Sequence, residues 1–239
     1  MSSYAVAVKH HQAVARDTVT LLLEKPAGFA FKAGQSVDLT LIDPPKTDAK
    51  GPKRALSIVS APHENHLQFA TRVRDSAFKQ TLRDLPIGTR VQVEGPFGSM
   101  TLHGNTSRRA IFIAGGIGIT PFMSMLRQAA HDDLPHSLSL IYSNRRPEDA
   151  PFLTELEELA RQRRGSFQLM ATMTGAADPA WHGRVGTVNA ELIRSVRVPP
   201  GQPVFYVAGP PAMVAAMRAL LNGMGVEDDD IRSEDFAGY

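Results

Sequence analysis

Residues 110–122, Ala-Ile-Phe-Ile-Ala-Gly-Gly-Ile-Gly-Ile-Thr-Pro-Phe, join an apolar run to a turn with three glycines. An unbroken apolar run suits a central parallel strand, which is covered on both faces. Gly115, Gly116 and Gly118 let the following backbone bend sharply and lie against a ligand with no Cβ in the way. Thr120 reads as an N-cap and Pro121 as a first helical residue, and Phe122, Met125, Leu126 and Ala129 then share a helical face. Strand, turn and helix start together aim N–H groups and a positive dipole end at one point, which is the chemistry of phosphate binding. Pro121 stands where a dinucleotide fingerprint has its third glycine, so an ordinary buried strand-to-helix turn is the competing reading.

A second turn of this kind, Gly209-Pro210-Pro211, follows the strand-like run Val204–Ala208. Ligands of doubly wound sheets bind beyond the carboxyl ends of the strands, so the two turns are expected as opposite walls of one cleft. Ser76 is a further candidate cap, with Phe78, Leu82 and Leu85 on one face behind it. That helix start is either another anion site or the end of a helix that plugs a barrel. Glu234 follows the acidic run 227–230 and reads alternatively as part of a solvated tail. His10-His11 has no third partner at metal spacing and reads as surface.

The elements that must position these residues fall into two textures. Alternation of period two at Val6 and Val8, at Val19, Leu21 and Leu23, and at Val37, Leu39 and Leu41 is joined by shorter pieces at 56–59, 67–73 and 91–93. Six short strands with turns between them predict a small antiparallel barrel, with residues 43–53 as an exposed loop. Beyond Gly95-Pro96-Phe97-Gly98, strand-like runs at 110–114, 138–142, 167–173 and 204–208 alternate with amphipathic helices. The helix near 151–163 turns Phe152, Leu156 and Leu159 inward. The one near 211–222 turns Met213, Val214, Met217 and Leu221 inward, with Gly223 as C-cap. This alternation predicts a parallel, doubly wound α/β sheet. The expected domains are 1–104 and 105–239, joined near 103–108.

Composition narrows the chemistry. A chain of 239 residues with 43% hydrophobic and 21% charged residues has the make-up of a soluble globular protein. A net charge of +2 supplies no broad basic field, so nucleic acid is not an expected partner. The absence of cysteine excludes disulfides and cysteine-ligated iron–sulfur clusters within this chain. With no apolar signal core at the start and no run long enough to span a membrane, a cytoplasmic location is the expectation.

Four motifs in one order add a resemblance. Arg54-Ala55-Leu56-Ser57-Ile58-Val59-Ser60 resembles the flavin-binding Arg-x-Tyr-Ser-x-x-Ser motif of the ferredoxin–NADP reductase superfamily. Residues 115–121 are similar to its nicotinamide-nucleotide turn. Ala208-Gly209-Pro210-Pro211 resembles its Cys-Gly-Pro-Pro element, and Glu234-Asp235-Phe236 its C-terminal Glu-x-aromatic. Leu56 replaces the tyrosine that packs on the flavin ring, and Ala208 replaces the cysteine near the nicotinamide.

The resemblance implies an N-terminal flavin barrel and a C-terminal nucleotide domain, with hydride passing from NAD(P)H to flavin N5 in the cleft between them. Arg54 would pair with the flavin pyrophosphate, helped by the helix start at Ser76, which favours FAD over FMN. Ser57 would lie near N5, and Ser57 and Glu234 are the implied catalytic residues. Ala55, Leu56, Thr71 and Val73 complete the implied flavin contacts, with Phe236 or Tyr239 laid on the ring. Gly115, Gly116, Gly118, Thr120, Pro121, Gly209, Pro210 and Met213 are the implied nucleotide contacts.

NADH is expected over NADPH, because residues 171–175 carry no cation where NADP-specific relatives have a Ser-Arg pair, although Arg145 and Arg146 follow the strand beside them. Electrons would leave to a separate protein such as a ferredoxin, flavodoxin or oxygenase component. A free-flavin or quinone reductase and a flavin-binding sensor without turnover are the alternatives.

Overall fold

Period-two alternation builds the first hundred residues. The computed structural model describes residues 2–175, 180–196 and 202–237. It begins with β1 (Ser3–Ala15), β2 (Thr18–Glu24), β3 (Ser36–Leu41), β4 (Lys53–Ser57) and β5 (His66–Arg72). The helix α1 (Ala77–Asp84) and the strand β6 (Arg90–Phe97) follow. The strands form one antiparallel sheet in the order β4-β3-β6-β1-β2-β5. Its two ends meet where Val59 N donates to Gln68 O at 2.8 Å and Gln68 N donates to Ser60 Oγ at 3.0 Å. These bonds close the sheet into the expected six-stranded barrel.

β1 runs beyond its Val6–Val8 piece and through His10-His11. Register shifts at Val8/His10 and Ala13/Ala15 bend it, so that residues 3–7 pair with β6 and the rest with β2. Val8, Leu21, Leu23, Val37 and Leu39 are wholly buried inside the barrel. The α1 face adds Phe78 and Leu82 to this core, as its spacing predicts.

The second sheet has the order β10-β9-β8-β7-β11-β12 and is parallel throughout. Its elements are β7 (Ala110–Gly115), α2 (Thr120–His131), β8 (Leu138–Asn144), α3 (Leu153–Gln162), β9 (Phe167–Met173), β10 (Arg184–Val185), α4 (Ala190–Arg194), β11 (Val204–Gly209), α5 (Pro211–Gly223) and β12 (Ile231–Asp235). β7 and β11 are central and buried at every residue, which accounts for their continuous apolar sequences.

Two strands differ from the sequence expectation. β10 is only two residues long, and β12 reads Ile-Arg-Ser-Glu-Asp, a polar edge strand with no apolar run to reveal it. Helix ends also move. α3 starts at Leu153, after Phe152 at φ 62, and Met224 rather than Gly223 caps α5, with Gly225 at φ 85 supplying the left-handed residue.

By packing, the chain forms one unit from Met1–Thr101 with Thr120–Gln128 and another from Leu102–Ile119 with Ala129–Tyr239. Within the first unit, Ser124 Oγ donates to Ser60 O at 2.7 Å and Arg127 Nη1 to Gln68 Oε1 at 2.7 Å. Among the described residues, no helix is long and apolar enough to cross a membrane.

The barrel core sets a stability test. Phe69 is 1% exposed, so Phe69→Ala should cost about 3–5 kcal/mol in urea unfolding. Ile87 is 65% exposed, and Ile87→Ala should stay within about 0.5 kcal/mol of the parent.

Candidate functional site

The turn after β7 shows why each glycine is there. A Cβ on Gly118 would lie 2.2 Å from Ala208 O, and one on Gly115 would lie 2.2 Å from Met213 Sδ. These two glycines are required by packing against β11 and α5. Gly116 differs: its φ is 54, and a Cβ there meets nothing within 4 Å. Its backbone is the part of the turn open to a ligand. The Tyr142 hydroxyl lies 3.2 Å from Gly116 O and 3.1 Å from Pro151 O, which holds the turn from below.

A one-turn 3-10 helix, Gly116–Ile119, leads straight into α2. The helical path therefore begins at Gly116 rather than at the expected Thr120 cap. Thr120 is 3% exposed and Pro121 is buried as well. The helix start expected at Thr120 thus lies one turn earlier.

The turn at Gly209-Pro210 does not face the first turn across a cleft. β7 and β11 are neighbours, and a Cβ on Gly209 would lie 3.2 Å from Gly115 Cα. The two turns adjoin side by side and form one continuous edge. Phe236 N donates to Gly209 O at 2.9 Å, which ties the end of β12 to that edge. Glu234 pairs in register with Ala208, so it sits in a strand and not in a solvated tail. Burial, with Asp235 adding to it, pushes the Glu234 carboxyl above its ordinary range, where it holds a proton more readily. Tyr239 lies outside the described residues.

The barrel presents the other candidate group. Ser57 Oγ and Thr71 Oγ1 are buried and have no hydrogen-bond partner in the protein. A buried hydroxyl left unpaired costs about 1–3 kcal/mol, and a polar ligand atom there would remove that cost. Both positions were singled out by resemblance, and both fit a flavin. Ala55 is exposed and Val73 half-buried. Leu56 is 4% exposed and belongs to the barrel core, so its side chain offers little surface to a ring.

Arg54 is not a loose surface charge. Its side chain is 17% exposed, its guanidinium lies 5.1 Å from the centre of the Phe78 ring, and Nη1 donates to the carbonyls of Lys50, Gly51 and Lys53 at 2.7–2.9 Å. Its Nη2 pairs with Asp48 Oδ1 at 3.1 Å. Ser76 occupies the cap position of α1, yet its side chain makes no capping bond. Asp48 caps instead: Oδ2 accepts from Ala77 N at 3.0 Å and from Ser76 Oγ at 3.4 Å. Burial pulls the other way, but the Lys50 and Ala77 amides and the Arg54 guanidinium hold the Asp48 carboxyl below its ordinary range. Lys79, one turn into α1, is 7% exposed. Burial first, then Arg54, Arg74 and Lys50, bring its ammonium down to about 8.

Sequence reasoning missed Asp48 and Lys79. Asp48 lies in a Pro/Lys/Gly-rich loop with no local signal, and Lys79 reads as the polar side of a short helix. No spacing rule connects residue 48 to residue 77.

The glycine geometry yields a paired test. Gly118→Ala forces backbone apart and should lower stability by about 1–3 kcal/mol, read by thermal unfolding. Gly116→Ala carries only positive-φ strain of about 1–2 kcal/mol and should leave β11 and α5 packed, visible as an unchanged amide spectrum beyond the turn. Equal disruption by both would show that Gly116 is also a packing glycine.

Comparison with known proteins agrees with this geometry. The oxidoreductase NAD-binding domain family matches residues 112–219. Ferredoxin–NADP reductase B of Sorangium cellulosum is 34% identical over 216 residues, covering 86% of this chain and 85% of that protein. The reductase component of propane 2-monooxygenase from Rhodococcus jostii is 29% identical over 228 residues, covering 92% of this chain and 60% of that protein. The chain therefore spans only part of the latter. In fold, it superimposes on the Neisseria gonorrhoeae ferredoxin NADP+ reductase with bound FAD and NADP at a TM-score of 0.82, with 23% identity, over 98% of this chain and 99% of that one. With a closed antiparallel barrel, a doubly wound sheet and a near full-length relative at this identity, the chain belongs to the ferredoxin–NADP reductase superfamily of flavin- and NAD(P)-dependent oxidoreductases.

Proposed function

We propose that this chain is an FAD-dependent NAD(P)H reductase that passes electrons to a separate redox protein, a ferredoxin, flavodoxin or oxygenase component, in the cytoplasm. Residues 1–104 hold the flavin and residues 105–239 the nucleotide. The observation that carries the reading is the pair of buried, unpartnered hydroxyls, Ser57 Oγ and Thr71 Oγ1. Bound flavin supplies the chemistry, accepting a hydride equivalent from NAD(P)H and releasing electrons onward. The chain supplies position and charge. Arg54 provides a fixed cation beside the start of α1, and Ser57 a donor for a flavin atom. Gly116 gives the nucleotide a close backbone approach. Glu234, its carboxyl raised by burial, is a proton-handling group near the second turn.

The purified protein should be yellow and bleach anaerobically with NADH or NADPH. A yellow protein that stays oxidised would favour the sensor reading, which the burial of Leu56 and the Ala208 substitution keep in play. Turnover with free flavin or quinone alone would favour a free-flavin or quinone reductase. Arg54→Ala removes a charge-assisted contact and should weaken FAD binding by about ten- to hundred-fold in equilibrium dialysis. Unchanged affinity would remove Arg54 from the site.

NADH is the favoured nucleotide. Thr172 Oγ1 donates to Gly186 O at 2.7 Å and Thr174 Oγ1 to Asn144 O at 3.2 Å, so neither hydroxyl hydrogen is free for a 2′-phosphate. Cations do lie near this strand end: Arg184 pairs in register with Thr172, and Arg145 and Arg146 are exposed, with the Arg145 carbonyl accepting from Gly175 N at 2.8 Å. The kcat/KM for NADH should exceed that for NADPH. An NADPH advantage abolished by Arg145→Ala would reverse the assignment.

A further inference from the structure

The 43–53 loop carries one carboxylate into a cluster of cations. Lys50, Arg54, Arg74 and Lys79 all bear on the start of α1, closely enough for Arg54, Arg74 and Lys50 each to disfavour the charge on Lys79. Asp48 is the anion among them. Asp75 also precedes the helix, but it is exposed and no ion pair joins it to the cluster among the described residues. Asp48 makes a full set of contacts there: Arg54 Nη2 at 3.1 Å, Ala77 N at 3.0 Å, Ser76 Oγ at 3.4 Å and its own loop's Lys50 N at 2.9 Å. A guanidinium, an N-terminal helix amide and a hydroxyl are the donors that a phosphate group takes.

The loop that delivers this carboxylate lies outside the core. Between Ile42 and Lys50 only Pro44 and Asp48 are other than exposed. Gly51 N donates to Asp48 O at 2.8 Å, closing a tight local turn, and Gly51 takes φ 69. Arg54 also lies over the Phe78 ring and donates to Lys53 O at the start of β4, two contacts that do not pass through Asp48.

We infer that Asp48 is an internal anion that holds the diphosphate cradle of the flavin site and must be displaced when the cofactor's diphosphate binds. The inference rests on the flavin reading above. Two anions cannot share the same donors, because like charges at hydrogen-bonding distance from one guanidinium repel each other and compete for the same N–H groups. Asp48 thereby sets how tightly and how fast the chain takes up FAD. It acts on the phosphate-bearing part of the cofactor and not on the ring.

The test compares flavin binding by the full chain, stripped of flavin, with its Asp48→Asn and Asp48→Ser variants. Asparagine keeps the side chain's length and one acceptor oxygen for Ala77 N and removes the charge, whereas serine shortens the side chain as well. Both variants should bind FAD about ten-fold more tightly than the parent. Riboflavin, which carries no phosphate, should bind all three proteins alike. Inorganic pyrophosphate alone should raise the melting temperature of the variants more than that of the parent. Equal or weaker FAD binding by a folded Asp48→Asn variant overturns the inference and leaves Asp48 as a helix cap. A parallel change in riboflavin binding overturns it too, since the effect would then be on the barrel as a whole. A parent chain that binds no flavin at all refutes the underlying flavin reading, a result distinct from both.

Discussion

Backbone contact between the turns after β7 and β11 is the constraint on which the nucleotide half depends. Gly118 lies against Ala208 and Gly115 against Met213 and Pro210, with no room for a side chain at either glycine. Because these turns adjoin, the strand ends form one edge. Gly116 lies open on that edge, and the end of β12 is bound to it through Phe236 N and Gly209 O. The glycines thus serve two needs. Two let protein meet protein, and one leaves its backbone open.

The barrel half solves a different problem, that of keeping polar groups in a closed apolar shell. Ser57 and Thr71 keep unpaired hydroxyls at 4% and 1% exposure, each at a cost in desolvation. Arg54 carries its charge into the same unit by filling its donors with loop carbonyls and its face with Phe78. Asp48 pairs with Arg54 at the start of α1, where burial brings the Lys79 ammonium down to about 8.

Family membership and local chemistry carry different weight. Similarity over most of the chain to a ferredoxin–NADP reductase establishes the superfamily and the flavin- and nucleotide-binding architecture. It does not decide the electron acceptor, since relatives of comparable similarity include an oxygenase reductase component of which this chain spans 60%. The departures at Leu56 and Ala208 are local. Leu56 has joined the barrel core, and Ala208 is buried in β11, where its backbone meets Gly118.

The sequence by itself determined the class of both halves, because alternation at Val37, Leu39 and Leu41 and the unbroken run 110–114 are local records of one-sided and two-sided burial. It also determined the face of α1, the glycine turns and the positions of Ser57, Thr71 and Arg54, which are written in residue type and order. The tertiary structure alone decided which glycine is open, that the two turns touch, that Glu234 lies in a strand, and that Asp48 caps α1 from 29 residues away. Each of these depends on which strands become neighbours and on where an exposed loop comes to rest. Contacts of that kind arise from the packing of distant segments, and they leave no period or motif in the chain.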